Sequence, residues 1–323
     1  MYEIILDKTI KNQYDSLPQG WTWFLLKSGT AELYSGYTAN LKSRISFLRD
    51  KATEGGPDKE MWDKADRLSW QSCDNSMQAL ILYKCMLQES SPEYQYRLLP
   101  YRDYAYLGLN STRFPFISIQ EHTQDDWLYL GPFRSRFFLA DVIDTYARIL
   151  KLPACETGTY PCEKFDSESC RGWCLHLAPG EESSHEHNLE KLDSLLKEAF
   201  VHPNNGILEL LENERQAYFN DLEFEKASLL DDEIELLKKY KDWLAFLYVA
   251  KKLEIAEQDF KVQQGRLVWC RLNGKEHHFA VDNTEYRDIE SLALNLDAVD
   301  EQRIIYEYVR KNRTDKWGDN YAQ

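Results

Sequence analysis

No apolar stretch in this 323-residue chain approaches the roughly 20 residues that a bilayer-spanning helix needs. The opening MYEIILDKTIKNQYD has no basic segment followed by an apolar one, so no export signal is expected there and the chain reads as cytoplasmic, with no membrane partner. In a reduced compartment its seven cysteines do not make a disulfide framework. Positive charge is short as well, since 39 Lys and Arg face 54 Asp and Glu for a net charge of -15. The deficit is uneven: residues 1–180 carry 20 basic against 23 acidic side chains, residues 181–323 carry 19 against 31. An acidic protein gets no long-range pull toward phosphates, so any nucleic-acid contact has to come from a local basic or aromatic face in the first half. Fixed-period repeats and low-complexity tracts are missing too, which excludes a solenoid.

What the chain does have is 43% apolar and 13% aromatic residues, enough to bury a core, and a length that suits two or three compact units. Gly20-Trp-Thr-Trp-Phe-Leu-Leu and Ala31-Glu-Leu-Tyr read as strands joined by a turn at Lys27-Ser-Gly-Thr, following a short polar lead-in. Leu41, Ile45 and Leu48 have the spacing of one helical face, residues 51–57 read as a loop, and a second helix is expected over 76–89. Further strands are expected within 97–119 and near 127–133, followed by a helix over about 135–150. Residues 180–188 read as a polar linker, and 189–253 as helix broken at Pro203-Asn-Asn-Gly206 and at Asn220-Asp221. Arg266 to Leu272, a turn at Asn273-Gly274 and the run His278-Phe-Ala-Val read as a closing hairpin. The fold class is therefore α+β.

Three segments, in this order, resemble the N-terminal half of UvrC, the incision subunit of bacterial nucleotide excision repair. GWTWFLLKSGTAELYSGYTANLKSRI (20–45) is similar to the GIY and YIG strands and the Asn-Leu-x-x-Arg helix of a GIY-YIG nuclease domain, and QALILYKCMLQESSPEY (78–94) to a later helix of that domain. YLGPF (129–133), a helix and four closely spaced cysteines match the family's next run. LEFEKASLLDDEIELL (222–237) resembles the UVR motif, a helical hairpin that contacts a related hairpin of UvrB. The resemblance spans about residues 15–310 and implies five parts: a degenerate GIY-YIG-like domain at 1–100, connecting strands and a helix at 101–150, a four-cysteine metal segment at 151–178, a helical region with a UVR-like hairpin at 189–253, and a small C-terminal β/α unit at 254–323. The family's second, RNase H-like nuclease is expected to be absent, because too few residues follow.

The departures from the family pattern fall on the chemistry. Carried over residue by residue, the resemblance assigns the YIG tyrosine to Tyr34 and the helix arginine to Arg44, as remnants of a nuclease site, and Asn40, Lys42 and Arg44 to DNA contact. The family's GIY tyrosine falls on Thr22 and its metal-holding glutamate on Tyr83, while Tyr37 and Gln95 replace a lysine and an asparagine. Phosphodiester cleavage at neutral pH usually relies on a carboxylate-bound metal, and a phenol with an ordinary pKa near 10 does not replace a carboxylate. Glu89 lies about 240° further around the helix than Tyr83 and points elsewhere. No catalytic magnesium is expected, and incision activity is expected to be lost. Read without the family, Tyr34 and Arg44 are hairpin packing and a solvated helix charge.

Cys155, Cys162, Cys170 and Cys174 form a C-x6-C-x7-C-x3-C run in polar surroundings that supply no apolar core for buried thiols. Such a cluster suits zinc or an iron-sulfur centre, and spacing alone does not separate them. The resemblance implies a 4Fe-4S cluster, with zinc as the alternative. In the hairpin, Leu222, Phe224, Ala227, Leu230 and Ile234 are the expected partner-binding residues, toward either a UvrB-like protein or the rest of the chain. The implied function is a UvrC-like repair component that binds damaged or branched DNA without incising it. Two alternatives stand beside it: an active single-nuclease relative with a rearranged metal site, and a protein-protein scaffold with no DNA role.

Overall fold

In a computed structural model, residues 1–7, 13–95, 104–124, 126–152, 162–173, 182–272, 274–279 and 291–312 are described. They form a mixed α/β chain in two compact units, one made of residues 1–102, 250–287 and 298–323 and the other of 103–249 and 288–297.

The first unit opens with β1 (Tyr2–Ile5), β2 (Gln19–Ser28) and β3 (Ala31–Asn40), followed by α1 (Leu41–Ala52), α2 (Gly56–Lys64), β4 (Arg67–Ser72) and α3 (Ser76–Glu89). All strand pairs are antiparallel and the sheet order is β1-β4-β2-β3, so β3 is an edge strand. Strand alternation sends Phe24 and Leu26 into a core completed by Leu41, Ile45 and Leu48 of α1 and by Met61 and Trp62 of α2. Leu25 and Trp23 point the other way and pack with Tyr83, Met86 and Leu87 of α3. The polar lead-in expected at the start is in part the strand β1, and the expected loop at 51–57 is interrupted by α2, whose Pro57 sits in its first turn.

The second unit holds an antiparallel sheet of order β6-β5-β7, from β5 (Ala105–Leu109), β6 (Ile117–Gln120) and β7 (Leu128–Phe133). It continues with α4 (Arg136–Leu150), the single turn α5 (Glu163–Asp166), α6 (Glu182–Leu196), a π-helical turn Lys197–Val201, α7 (Gly206–Asn220) and α8 (Phe224–Ala250). Tyr240 of α8 stacks on Phe133 at 5.6 Å and donates a hydrogen bond to the Phe200 carbonyl at 2.6 Å, while the Trp243 indole reaches the Pro132 carbonyl at 3.1 Å. Residues 182–188 are helix rather than linker: no proline or glycine interrupts 182–196, and the polar stretch is the first half of a helix that buries Leu192 and Leu196.

The chain then returns to the first unit with β8 (Ile255–Ala256), β9 (Phe260–Gln263), β10 (Arg266–Leu272), β11 (Lys275–His278) and α9 (Leu296–Asn312), the last starting at the unit boundary. The second arm of the closing hairpin runs Lys275–His278, starting earlier than expected with Leu272 opposite Lys275, and Phe279 N–H still donates to the Val268 carbonyl at 2.9 Å; Ala280 and Val281 lie outside the described residues. Among the described residues, no helix is long and apolar enough to cross a membrane.

Candidate functional site

Asn40 ends β3 and caps α1, its carboxamide oxygen accepting the Ser43 N–H at 3.0 Å. That cap fixes where α1 starts and brings Arg44, one turn later, onto β3. Arg44 Nη2 donates to Tyr34 Oη at 2.9 Å, and its guanidinium lies 5.3 Å from the centre of the Phe47 ring. The Tyr34 ring itself rests against Phe24 at 6.1 Å. Lys42, the other expected DNA contact, is exposed but paired with Asp15 at 2.6 Å.

Tyr83 comes from α3 and completes the group. Its ring leans on Tyr37 at 5.4 Å, and its hydroxyl accepts a hydrogen bond from Gln95 Nε2 at 2.9 Å. Gln95 Oε1 in turn accepts the Ser35 N–H of β3 at 3.3 Å, so one carboxamide ties α3 to the edge strand. Burial pushes the Tyr83 phenol up to about 12, the nearby phenols of Tyr34 and Tyr37 adding to the shift and Arg44 opposing it. It therefore stays protonated at neutral pH. Thr22 is fully buried and spends its hydroxyl on the Gly20 carbonyl at 3.0 Å, which leaves it no role toward a ligand.

The structure thus gathers Tyr34, Arg44 and Tyr83 and adds Tyr37, Gln95 and Phe47, which carried no site role in the sequence reading. The Arg44 to Phe47 spacing of one helical turn was the available signal for Phe47. Magnesium takes hard oxygen ligands, chiefly carboxylates and water. Phenols beside a guanidinium offer no carboxylate to such an ion.

In the cysteine segment, Cys155 and Cys174 lie outside the described residues. Cys162 precedes α5 and Cys170 follows it, both half-buried, and Cys170 Sγ accepts the Gly172 N–H at 3.2 Å. Half-buried cysteines on either side of a single helical turn are donors of the kind that zinc and iron-sulfur centres take. The other three cysteines are not isolated from one another: Cys270 lies within electrostatic reach of Cys85 and Cys73, and burial raises Cys73 to about 12 and Cys270 to about 11. Thiols held that high are inert at neutral pH. Among the described residues, no group of three or more His, Cys, Asp and Glu is arranged to hold a metal ion.

The expected helical hairpin is α7 and α8, joined by Asp221-Leu222-Glu223, with the Glu223 N–H on the Tyr218 carbonyl at 2.9 Å. Arg215 pairs with Asp231 at 3.4 Å and Lys238 with Glu212 at 3.1 Å across the two helices. Ala227, Leu230 and Ile234, expected on a partner surface, are buried within the chain, because the seam they line is closed from inside the unit. Leu222 and Phe224 remain exposed at the tip, together with Phe219 and Leu229, and Phe219 meets Phe224 edge-to-face at 5.4 Å.

An antiparallel sheet flanked by helices, with an arginine-phenol group at its edge strand, is the class of structure these observations define. Sequence comparison narrows it. The chain is similar to UvrABC system protein C of Methanococcus maripaludis, 26% identical over 218 residues that cover 67% of this chain and 40% of the relative. It is likewise similar to the proteins of that name from Chlorobaculum tepidum, at 25% identity over 74% of this chain and 41% of the relative, and Salinibacter ruber, at 24% over 90% and 48%. The chain therefore spans less than half the length of these relatives, and its resemblance to the N-terminal half of UvrC holds over most of its own length. No protein-family model matches the chain. No solved structure matches it either.

Proposed function

We propose that this protein is a component of nucleotide excision repair that binds DNA, takes a UvrB-like protein as its partner and does not itself cut DNA. The observation that carries the reading is Tyr83: where the UvrC-like pattern has a metal-holding carboxylate, the chain has a phenol pushed up to about 12. Arg44 keeps the means to hold a phosphate, because a guanidinium recognises phosphate oxygens without a metal. Purified protein given magnesium or manganese is expected to leave damaged duplex intact. Metal-dependent cutting that is lost in Arg44→Ala would overturn the reading and favour a working nuclease with a rearranged site.

The partner surface in this reading is the hairpin tip, Leu222 and Phe224 with Phe219 and Leu229, since the rest of the seam is covered. Apolar side chains at the centre of an interface carry most of its energy. Phe224→Ala is expected to weaken association with a UvrB-type hairpin by roughly tenfold or more in a pull-down or titration, with the fold intact because the ring is 53% exposed.

In the same reading Cys155, Cys162, Cys170 and Cys174 hold a 4Fe-4S cluster, zinc being the alternative occupant. When bound, the centre supplies a structural staple for a stretch too polar to build its own core. Anaerobic purification followed by iron, sulfide and zinc analysis is expected to find iron and sulfide in equal amounts, with both lost in Cys170→Ser. Protein free of iron and zinc alike would remove the cysteine assignment.

A further inference from the structure

We infer that a cleft in the second unit, bounded by the loop after β5, the turn before β7 and the end of α6, takes an arginine side chain of a partner protein. The cleft shares no residue with the edge-strand group or the hairpin tip, so the inference stands apart from the function proposed above.

The lining sorts by burial. Leu109 at the end of β5 and Leu196 at the end of α6 are buried, and Leu128 at the start of β7 is left 40% exposed. Asp126, Asp193 and Lys197 all reach solvent. The deep part is therefore apolar and the outer part charged, a pattern that a long side chain with a charged end satisfies. At about 280 Å³ the cleft is smaller than the roughly 300–1,000 Å³ of small-molecule sites, so it suits one side chain rather than a whole metabolite. A buried carboxamide holds it in shape. Asn110 Oδ1 accepts the N–H groups of Thr112 and Arg113, both at 2.9 Å, and Asn110 Nδ2 donates to the Asp126 carbonyl at 3.1 Å. Loop and turn are thus tied together before any ligand arrives, which lowers the cost of ordering on binding.

Charge selects the ligand. Asp193 is engaged by Lys197 Nζ at 2.7 Å and by the Ser111 hydroxyl at 3.4 Å. Asp126 is not: among the described residues no cation or hydrogen-bond donor reaches its carboxylate, while its carbonyl, held by Asn110, keeps the residue at the rim. Two carboxylates against one ammonium leave the lining with an excess of negative charge. An anion would meet that excess with the ammonium already taken, and a neutral ligand would leave Asp126 unanswered. A guanidinium presents several donors in a planar fork, so it can answer one carboxylate and a second acceptor together, and it sheds water more readily than an ammonium. Its methylene stem has the leucines to cover it. The net charge of -15 also draws a basic partner surface toward the protein before contact.

The test titrates the full chain by ligand-observed nuclear magnetic resonance with arginine blocked at both ends as the N-acetyl methylamide, the lysine and citrulline counterparts, and free arginine. Blocked arginine is expected to bind about tenfold more tightly than blocked citrulline, which has nearly its shape without its charge. Asp126→Asn keeps the side-chain shape and tolerates the left-handed backbone of this position, where φ is +74°. It is expected to weaken blocked arginine by about fivefold. Lys197→Met releases Asp193 and is expected to strengthen blocked arginine by about threefold, a gain that a merely structural Lys197 would not produce. Citrulline that binds as well as arginine, or arginine binding indifferent to both substitutions, would overturn the inference. Free arginine that binds more tightly than the blocked form would overturn the assignment to a partner protein in favour of a small molecule. Lysine that binds as tightly as arginine would overturn the choice of side chain, and failure of all the probes to bind would overturn the site itself.

Discussion

Replacing Glu301 by alanine is expected to destabilise the first unit by about 3–5 kcal/mol, the range found when one partner of a buried ion pair is removed. Glu301 sits on α9 with its side chain only 9% exposed, between Lys84 Nζ at 3.6 Å and Arg266 Nη2 at 3.8 Å. Its other oxygen accepts the Leu267 N–H at 2.6 Å. Truncation takes this carboxylate from the Lys84 ammonium, itself 5% exposed, and the acceptor from a buried amide. Because Lys84 neighbours Tyr83 on α3, the same carboxylate links the helix of the candidate site to the C-terminal sheet. Glu301→Gln keeps an acceptor and loses the charge; adding Lys84→Met removes the counter-charge and is expected to regain part of the lost stability in denaturant titrations. A Glu301→Ala protein that unfolds at the parental denaturant concentration would show that this link does not support the unit.

The elements that could be read from the sequence are those whose stabilising contacts are local. The β2–β3 hairpin follows from alternating apolar residues around a turn whose Gly29 takes φ of +58°. The α7–α8 break follows from Asn220-Asp221, where Leu222 adopts φ of +61°. Strands β1 and β4 gave no such signal. Ser69 is polar yet fully buried in β4, because its hydroxyl donates to Glu3 Oε2 at 2.7 Å from a strand more than 60 residues away. A pattern rule scores that serine as surface; only the pairing of β1 with β4 makes it interior. Helix α6 was hidden differently, since its first half is polar and its buried leucines come late.

The candidate site divides along the same line. Tyr34 and Arg44 were reachable through the family resemblance, and their spacing of ten residues across a cap makes their contact a local event. Gln95 was visible only as a departure, because its function is to join Tyr83 and Ser35, and Ser35 is 60 positions away. Ala227, Leu230 and Ile234 show the converse limit: an apolar stripe states that a face will be covered, not by what. Here the chain covers it itself, and the surface left for another protein shrinks to the hairpin tip.

Gly265→Ala is expected to be the most damaging small substitution in the C-terminal sheet, and a second glycine supplies its control. Gln264 and Gly265 join β9 to β10 with φ of +51° and +73°, the paired left-handed conformation of a tight two-residue hairpin turn. A Cβ on Gly265 would stand 2.2 Å from the Ala250 carbonyl oxygen, a backbone atom rather than the flexible end of a side chain. Gly265 N–H also donates to the Leu253 carbonyl at 2.9 Å, so the turn cannot retreat without breaking that bond. Gly274 has nearly the same φ, +75°, with no atom within 4 Å of its would-be Cβ. Gly274→Ala should therefore carry only the left-handed backbone penalty of about 1–2 kcal/mol. Gly265→Ala carries that penalty plus the displacement of a packed backbone, so it should lose at least about 2 kcal/mol more. Thermal and denaturant unfolding of the two variants separates the contributions, because backbone conformation is shared and only the surroundings differ. Equal losses would mean that the approach of Gly265 to Ala250 relaxes freely and that the turn is not pinned against the end of α8.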